Sequence, residues 1–306
     1  MNNMSKRIIR DKIKNNDLVY YSYNFLKLFY FKYILTDKAL IKKRFRKRLG
    51  REVNLIHPIK FNDKLQWLKL NWRDPLATKC ADKFEVREYV EKMIGSDYLN
   101  ELYGVYESID EINIDKLPKS FVLKGTHGSG FNIICKDKNK MDWKLEFKKM
   151  KRWLKTNYYW RNREWVYRDI KPRIICERYM EEKESGELRD YKIFCFNGEP
   201  KIIEVDFDRF DNHKRNFYDL KWHLIDLEIQ YPSDGNVNIK QPKTLEKMIE
   251  LSKILSKNFP HVRVDFYNLD DQIIFGELTF FHESGMGKFY PPEFELEMGN
   301  YINLPN

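Results

Sequence analysis

The sequence predicts an α+β protein, built from antiparallel β-hairpins with helices packed against them. Three segments, 119–135, 191–206 and 262–278, each contain two short apolar runs joined by a turn rich in Gly, Asn or Asp, which is the pattern of a hairpin. Amphipathic stretches such as 244–258 carry apolar residues at helical spacing. Sheets of mainly antiparallel strands follow from this pattern.

The individual elements follow in chain order from the same criteria. Helices are predicted where apolar residues recur every three or four positions, and strands where short apolar runs are bounded by turn residues. The predicted helices are 61–72, 82–95, 143–161 and 244–258. The predicted strands are 119–124, 131–135, 173–180, 191–196, 201–206, 262–267 and 272–278, with turns at 197–198 and 270–271.

Size and composition place the chain among globular proteins. Its 306 residues suffice for two domains or one large domain with lobes, and 42% of them are hydrophobic and 33% charged. This composition excludes a disordered chain and a polytopic membrane protein. No two cysteines form a CxxC pair, and Cys135, Cys176 and Cys195 lie in apolar runs, so we expect reduced, buried thiols in a cytoplasmic protein.

The positive charge is concentrated at the N-terminus. The formal net charge is +10, but residues 1–60 hold 16 of the 56 basic residues and only 4 of the 46 acidic ones. The remaining 40 basic and 42 acidic residues leave the rest of the chain nearly neutral. This distribution, without a zinc or helix-turn-helix motif, argues against specific nucleic-acid binding.

Residues 1–57 form a basic, aromatic N-terminal extension. Residues 18–35 are aromatic and aliphatic but contain Lys27 and Lys32, and 41–51 hold seven basic residues in eleven. A signal peptide carries its charges first, and two lysines at mid-span are costly in a transmembrane helix. Two interpretations stay open: a helical lobe packed on the body, or a peripheral contact with anionic lipid at the inner face of the plasma membrane.

The first predicted hairpin has a glycine-rich turn, Gly125-Thr126-His127-Gly128-Ser129-Gly130. Its glycines leave backbone N–H groups free to close over phosphate oxygens, and Lys124 ends the preceding strand beside them. The turn is not a P-loop, because the lysine precedes the glycines, and not a Rossmann fingerprint, because a strand follows. Taken alone, such a sequence is more often a tight turn than a nucleotide site.

Two carboxylates face each other in the last predicted hairpin. Asp265 and Glu277 are 12 residues apart, so a turn near Asp270 places them roughly opposite each other on adjacent strands. Two facing carboxylates favour Mg²⁺ that bridges substrate phosphates, because buried carboxylates are costly unless they are paired or bind a metal. Arg263 projects from the same strand face as Asp265. The alternative is a salt-bridged hairpin with a purely structural role.

The order of these motifs resembles the ATP-grasp superfamily, and the sequence is similar to its TupA-like branch, named for a protein of teichuronopeptide synthesis. The matching segments are DKFEVREYV, LPKSFVLKGTHGSG, IICERYM, DYKIFCFNG, QPKTLEKM, VRVDFYN and IIFGELTF. The resemblance implies an ATP-grasp fold over 58–300, with two α/β lobes whose antiparallel sheets clamp ATP. The ATP-binding flap lobe would span about 119–196 and the metal-binding lobe about 197–300, with the helical extension 1–57 outside.

The resemblance also implies an ATP site. Lys83 and Lys124 match the two ATP-grasp lysines that contact phosphates, and 125–130 matches the flap that covers them. Glu177 would hold the adenine amino group, and Met180 would lie at the hinge backbone. The flap contacts would be Gly125, His127, Gly128, Ser129 and Gly130, and the ribose contact would be Glu182, Glu184 or Glu187.

A metal site and a reaction centre are implied as well. Asp265 and Glu277 would bind Mg²⁺. Thr279 stands where the superfamily commonly has Asn, and a hydroxyl is a weaker metal ligand than an amide oxygen. The candidate catalytic residues are Arg263 beside the acyl phosphate, Lys192 facing the acceptor or a phosphate, and His127 as a general base.

The activity implied by the resemblance is that of an ATP-grasp ligase. ATP and Mg²⁺ would activate a carboxylate as an acyl phosphate, and an amine or amino acid would then attack it. The carboxylate would belong to a uronic acid of a bacterial cell-surface polysaccharide or its precursor. Two alternatives remain: a glycosyltransferase that uses the triplet Asp206-Phe207-Asp208 as a metal motif, and a binding module without turnover.

Overall fold

A computed structural model of the chain describes residues 35–181, 189–207 and 213–305, together with Ser22, Phe25, Leu26, Phe29 and Tyr30. Most of the aromatic segment 18–35 lies outside the described residues. The three predicted ribose contacts, Glu182, Glu184 and Glu187, lie outside them too, as does Asp208 of the Asp-Phe-Asp triplet.

The described ranges contain eight α-helices and twelve β-strands. The helices are α1 Asp37–Leu49, α2 Phe61–Asn71, α3 Pro75–Ala81, α4 Val86–Ile94, α5 Trp143–Leu154, α6 Tyr159–Asn162, α7 Leu245–Ser256 and α8 Glu293–Asn300. The strands are β1 Leu102–Tyr106, β2 Phe121–Gly125, β3 Asn132–Cys135, β4 Ile174–Arg178, β5 Asp190–Phe196, β6 Glu199–Phe207, β7 Lys214–Tyr218, β8 Leu224–Ile225, β9 Glu228–Ile229, β10 His261–Leu269, β11 Gln272–Thr279 and β12 Phe289–Tyr290.

The smaller of the two main sheets has four antiparallel strands in the order β1-β4-β2-β3. Phe121, Leu123 and Cys176 on its inner face share a hydrophobic core with Met150 of α5. The hairpin β2–β3 is the predicted one, and the glycine-rich turn 125–130 joins its strands. The glycine-rich turn therefore extends from a sheet that has its own hydrophobic core.

The larger sheet has six antiparallel strands in the order β11-β10-β5-β6-β7-β8. Helix α7 covers one face, with Met248, Leu251 and Leu255 buried against it. On the other face, Phe194 packs edge-on against Phe61 of α2, with ring centroids 6.5 Å apart. The rest of that face carries charged side chains, and we call it the polar face.

Helix α1 packs on the body through Leu40, Ile41 and Phe45, all of which are buried. It begins where the Thr36 side chain accepts a hydrogen bond from the Ala39 N–H at 3.3 Å. It ends at Gly50, whose φ of 73° is the left-handed conformation that glycine favours at a helix C-terminus. Among the helices that the structure describes, none is long and apolar enough to cross a membrane.

The predicted α+β architecture with antiparallel hairpins is confirmed. Residues Asn197 and Gly198 turn one hairpin with φ values of 50° and 83°, and Asp270 and Asp271 turn another with 50° and 65°. These positive φ values explain why Gly, Asn and Asp mark the turns so clearly in the sequence. The four cysteines are free and buried.

Two predicted helices differ in extent. The helix predicted at 82–95 begins only at Val86, because the Asp82 carboxylate accepts the N–H groups of Phe84 and Glu85, at 2.8 and 3.4 Å, in a preceding turn. The segment 143–161 forms α5 and α6 instead of one helix. Its break lies at Asn157, whose side chain accepts the N–H of Tyr159 at 3.1 Å and starts the second helix.

Candidate active site

The polar face of the six-stranded sheet brings buried charges together. Lys192 of β5 lies between Asp265 of β10 and Glu204 of β6, and Asp206 of β6 lies opposite Arg215 of β7. Residues paired across antiparallel strands project from the same face of a sheet. All five side chains are buried. Buried charges must be paired or bind ligands to be tolerated, so this face is either an ion-pair network or a binding site.

Asp265 and Glu277 lie directly opposite each other on β10 and β11, as their spacing predicts. A β-bulge follows this pair, where the register shifts between Asp265 and Phe266. Gly276 lies in the bulge, and a Cβ atom there would approach the Asp265 carbonyl oxygen to 3.0 Å. Glycine therefore permits the close backbone approach that makes the two carboxylates neighbours.

Arg263 binds Asp265 through two parallel hydrogen bonds, with Nε–Oδ1 at 2.7 Å and Nη2–Oδ2 at 2.6 Å. Glu204 Oε1 lies 3.6 Å from the Nη1 atom of Arg263. Burial lowers the pKa of Arg263, but Asp265 and Glu204 outweigh this effect and hold the pKa well above its usual value. Arg263 is thus a permanent cation in the middle of the polar face.

The two facing carboxylates have different electrostatic surroundings. Glu277 lies 3.0 Å from the Lys83 ammonium and accepts the Thr279 hydroxyl at 3.1 Å, and Lys83 lowers its pKa to about 2. Burial, together with the carboxylates of Asp190 and Glu277, raises the pKa of Asp265 to about 7, although Arg263 opposes the shift. Negative charge around Asp265 is therefore only partly offset.

The donor set of the polar face suits a hard divalent cation. Its carboxylates outnumber its basic side chains by five to three, namely Asp190, Glu204, Asp206, Asp265 and Glu277 against Lys192, Arg215 and Arg263. Within the described ranges, no group of three or more His, Cys, Asp or Glu forms a complete metal site. Mg²⁺ commonly binds one or two carboxylates and completes its shell with substrate phosphates and water. Asp265 and Glu277 fit that arrangement.

Lys192 is enclosed by carboxylates. Its Nζ atom contacts Asp206 and lies 3.4 Å from Glu204 and 3.5 Å from Asp190. Asp206 also accepts the Nε–H of Arg215 at 2.7 Å. The first residue of the Asp-Phe-Asp triplet is therefore engaged in ion pairs on the polar face.

A second ion-pair cluster lies on the four-stranded sheet. Lys124 of β2 places its Nζ atom 2.7 Å from Glu177 of β4, and Arg87 of α4 lies 3.4 Å from the same carboxylate. Burial lowers the pKa of Lys124, but Glu177 outweighs it and raises the pKa overall. Met180, the predicted hinge residue, follows β4 and is half-buried. Adenine recognition by Glu177 and Met180 stays a prediction.

Lys83 connects the glycine-rich turn with the six-stranded sheet. It lies in the turn before α4, and its backbone N–H donates to the Thr126 carbonyl at 3.2 Å. Its ammonium reaches Glu277 at 3.0 Å and the Gly128 carbonyl at 3.3 Å. The two predicted ATP-grasp lysines are thus each paired with a carboxylate of the candidate site.

The glycine-rich turn is packed against aromatic side chains. A Cβ atom at Gly128 would meet the Tyr158 ring at 2.8 Å, so glycine is needed for this approach. His127 is buried, and its Nε2 atom lies 2.8 Å from the Trp153 carbonyl oxygen, to which it must donate. Burial lowers the pKa of His127, which favours a neutral imidazole. Its role as a general base stays a prediction.

A cavity of about 680 Å³ opens beside the polar face. Ser129 of the glycine-rich turn and Lys192, Arg263, Glu277 and Thr279 of the sheet line it. The cavity therefore joins five of the predicted site residues. Its other acidic and basic lining residues are Arg44, Lys47, Arg48, Arg161, Glu164, Arg215, His282 and Glu283.

Several of these residues escaped sequence reasoning. Glu204 was not singled out by the sequence analysis, and its carboxylate lies 3.1 Å from the Nε atom of Arg215 and 3.2 Å from the Nε2 atom of His282. The available signal was the alternation of Glu204 and Asp206 with apolar residues along β6, the same signal that singled out Asp265. The residues of α1 carried no such signal, because a basic helix is usually solvated.

The chain matches one protein family and is similar to several solved structures at low sequence identity. D-Alanine–D-alanine ligase from Bacillus anthracis, complexed with ATP, is 15% identical with a TM-score of 0.36 over 66% of this chain and 54% of that chain. N5-Carboxyaminoimidazole synthetase from Staphylococcus aureus, complexed with ADP, is 12% identical with a TM-score of 0.43 over 81% of this chain and 61% of that chain. The chain thus spans less than two thirds of either structure. No curated protein sequence matches it.

The family comparison is more specific. The model described as TupA-like ATP-grasp matches residues 63–303, which is well over half of the chain. The match includes both predicted lysines, the glycine-rich turn and the β10–β11 hairpin with its facing carboxylates. On this evidence the chain belongs to the TupA-like ATP-grasp family.

Proposed function

We propose that this protein is an ATP-dependent carboxylate–amine ligase that works through an acyl phosphate. The observation that carries the proposal is the convergence of Lys83, the glycine-rich turn, Arg263 and the Asp265–Glu277 pair beside one polar cavity. Family membership supports the same reaction class. The carboxylate would belong to a sugar of a bacterial cell-surface polysaccharide or its precursor, and the nucleophile would be an amine or amino acid.

Lys83 and Lys124 supply the positive charge for the nucleotide phosphates. Each ammonium lies within 3.0 Å of a carboxylate, Glu277 and Glu177 respectively, so phosphate oxygens would compete for cations that are already positioned. The backbone N–H groups of the glycine-rich turn add neutral donors above them. Positioned cations contribute most of the catalysis in phosphoryl transfer, where the protein does little covalent chemistry.

Asp265 and Glu277 would hold Mg²⁺, which when bound neutralises charge on the transferring phosphoryl group. Thr279 orients Glu277 through its hydroxyl hydrogen bond of 3.1 Å. Arg263 holds Asp265 in place through two hydrogen bonds and also lines the cavity, so its cation lies where the acyl phosphate would form. Lys192 lines the same cavity and would face the acceptor.

The test is ADP release together with trapping of the acyl phosphate by hydroxylamine. Glucuronate, galacturonate and UDP-glucuronate would be offered with Mg·ATP, with amino acids as nucleophiles. We expect ADP release that depends on one acid, and a hydroxamate of that acid when hydroxylamine replaces the amine. Sugar transfer from a nucleotide sugar without ATP consumption would instead establish a glycosyltransferase.

A matched pair of double variants makes the test specific. Asp265→Asn/Glu277→Gln removes the two facing carboxylates and should reduce turnover about 1,000-fold or more, as loss of a metal site does. Asp270→Asn/Asp271→Asn removes two carboxylates from the turn of the same hairpin, where φ values of 50° and 65° suit asparagine. This control should retain activity. ATP binding without turnover for any acid or amine would favour the non-catalytic module.

A further inference from the structure

Helix α1 is held on the body by buried ionic contacts as well as apolar ones. Asp37 at its start lies 3.1 Å from Arg163, which is only 1% exposed, and accepts the Tyr159 hydroxyl at 2.5 Å. Arg44 donates to the Asn162 side chain at 2.5 Å. A helix anchored at both its first turn and its middle presents its remaining side chains in fixed directions.

Three basic residues of α1 line the cavity beside the polar face: Arg44, Lys47 and Arg48. Their spacing of three and four residues places them on one side of the helix, which we call the cavity face of α1. Lys42 and Lys43 are exposed on the same helix but do not line this cavity. Arg161 of α6 adds a fourth cation to the lining.

These outer cations differ from the inner cations of the cavity. Arg215 and Arg263 are paired with buried carboxylates of the sheet. Among the residues that the structure describes, Lys47, Arg48 and Arg161 make no ion pair. Burial lowers the pKa of Arg44, and the neighbouring guanidinium groups of Arg163 and Arg161 lower it further. Positive charge is therefore concentrated on this side of the cavity, and two of its cations, Lys47 and Arg48, have no ion-pair partner among the described residues.

The acidic residues of the cavity already have partners other than Lys47 and Arg48. Glu277 is paired with Lys83, and Glu283 lies 3.4 Å from Arg215. Glu164 accepts the Ser284 hydroxyl at 2.6 Å, and its carboxylate interacts with the cations of Lys69 and Arg161. Like charges that face a shared cavity repel one another, and this cost is recovered when an anion enters between them.

We propose that the cavity face of α1, together with Arg161, binds an anionic group of the carboxylate substrate. The group carries at least two negative charges beyond the carboxylate that reacts, as a diphosphate or a run of further carboxylates does. The inference rests on the proposed ligase function and specifies its substrate class. It also makes part of the N-terminal extension a wall of the active site.

Two matched variants test this assignment. Lys47→Gln/Arg48→Gln removes two charges from the cavity face, and Lys42→Gln/Lys43→Gln removes two from elsewhere on the helix. All four side chains are exposed, so neither change should affect folding. Isothermal titration would use inorganic pyrophosphate and trigalacturonate as separate probes, with Mg·AMP-PNP at saturation so that the nucleotide site is filled.

We expect at least one probe to bind wild type and Lys42→Gln/Lys43→Gln equally, and to bind Lys47→Gln/Arg48→Gln about tenfold or more weakly, since charge-assisted contacts are lost. The difference should shrink at high salt. Preference for pyrophosphate identifies a phosphorylated substrate, and preference for trigalacturonate a polyuronic one. Equal affinities in the two variants, or no binding of either probe to wild type, would overturn the proposal.

Two further readouts separate the explanations. Binding to vesicles of anionic lipid is the first. If both variants bind the vesicles equally weakly, while their affinity for the probes is unchanged, the basic helix contacts a membrane surface instead. Binding of Mg·AMP-PNP is measured in the same samples. If wild type fails to bind the nucleotide while the probe difference persists, the ligase proposal fails and the anion site stands.

Discussion

The two main sheets carry opposite charge balances where they border the candidate site. The four-stranded sheet and α4 contribute Lys124 and Arg87 around the single carboxylate of Glu177. The six-stranded sheet contributes five carboxylates and three cations on its polar face. A surplus of cations suits nucleotide phosphates, and a surplus of carboxylates suits a divalent metal. We therefore propose that the four-stranded sheet binds the nucleotide and the six-stranded sheet binds the metal, with the salt bridge from Lys83 to Glu277 connecting them.

The largest effect on stability is expected on the polar face of the six-stranded sheet, at Arg263. Arg263→Met leaves Asp265 and Glu204 buried with fewer partners, and loss of one member of a buried ion pair costs about 3–5 kcal/mol. Chemical denaturation should show that loss in the free energy of unfolding. As a control, Arg168→Met breaks a pair with Asp169 whose side chains are 47% and 66% exposed, and should cost less than about 1 kcal/mol. Equal costs would mean that the polar face is not an interdependent network.

The four-stranded sheet should respond more mildly in stability but strongly in nucleotide binding. Lys124→Met leaves Glu177 with Arg87, so we expect a loss of about 1–3 kcal/mol in unfolding free energy. Affinity for Mg·ATP should fall about 10- to 100-fold, because a charged hydrogen-bond donor to phosphate is removed. Titration calorimetry checks the affinity. An unchanged affinity would remove Lys124 from the nucleotide site.

Acid sensitivity should also reside mainly in the six-stranded sheet. Burial, with smaller contributions from His282 and Arg263, lowers the pKa of His261 to about 3. In the unfolded chain this histidine binds a proton near pH 6.5, whereas in the folded chain it stays neutral. Its contribution to the free energy of unfolding is therefore fully present above pH 6.5 and is lost as the pH falls below that value. The loss at pH 5 is about 2 kcal/mol relative to pH 7.

Replacing this histidine tests the assignment. His261→Gln should flatten the decline in unfolding free energy between pH 6.5 and 5, although buried His127 and His282 would retain part of it. His223→Gln is the matched control, because its side chain is 75% exposed. An identical decline in both variants would place the acid sensitivity elsewhere.

The smallest effect is expected at Thr279. Thr279→Val keeps the shape but removes the hydroxyl that orients Glu277, at a cost of about 1 kcal/mol for one hydrogen bond. The Mg²⁺ concentration for half-maximal ADP release should rise about fivefold, which is the same free energy. No change would mean that Thr279 plays no part in the metal site.

The elements that were predictable from sequence depend on local signals. The hairpins at Asn197-Gly198 and Asp270-Asp271 were visible because their turns need positive φ values, and the opposition of Asp265 and Glu277 followed from the turn position. The bulge at Gly276 was not predicted, because a glycine inside a strand does not reveal which backbone approaches it.

The remaining features could not be predicted from the sequence, because they depend on long-range packing. The sequence marked 41–51 as basic, but which of its side chains face a cavity depends on how Leu40, Ile41 and Phe45 dock against distant elements. The break at Asn157 depends on a side-chain hydrogen bond that competes with the helix, and apolar periodicity does not register it. Such features are set by tertiary contacts between segments far apart in the chain.

The most direct test of the divided site is Mg²⁺-dependent nucleotide binding, measured by thermal unfolding of wild type and Asp265→Asn/Glu277→Gln with AMP-PNP, with and without Mg²⁺. At one hundred times Kd, a ligand adds about 2.7 kcal/mol to stability, a rise of a few degrees. We predict that rise for wild type with Mg·AMP-PNP, and its loss in the double variant. Equal stabilisation of both proteins, or none of wild type, would contradict a metal–nucleotide site between the two sheets.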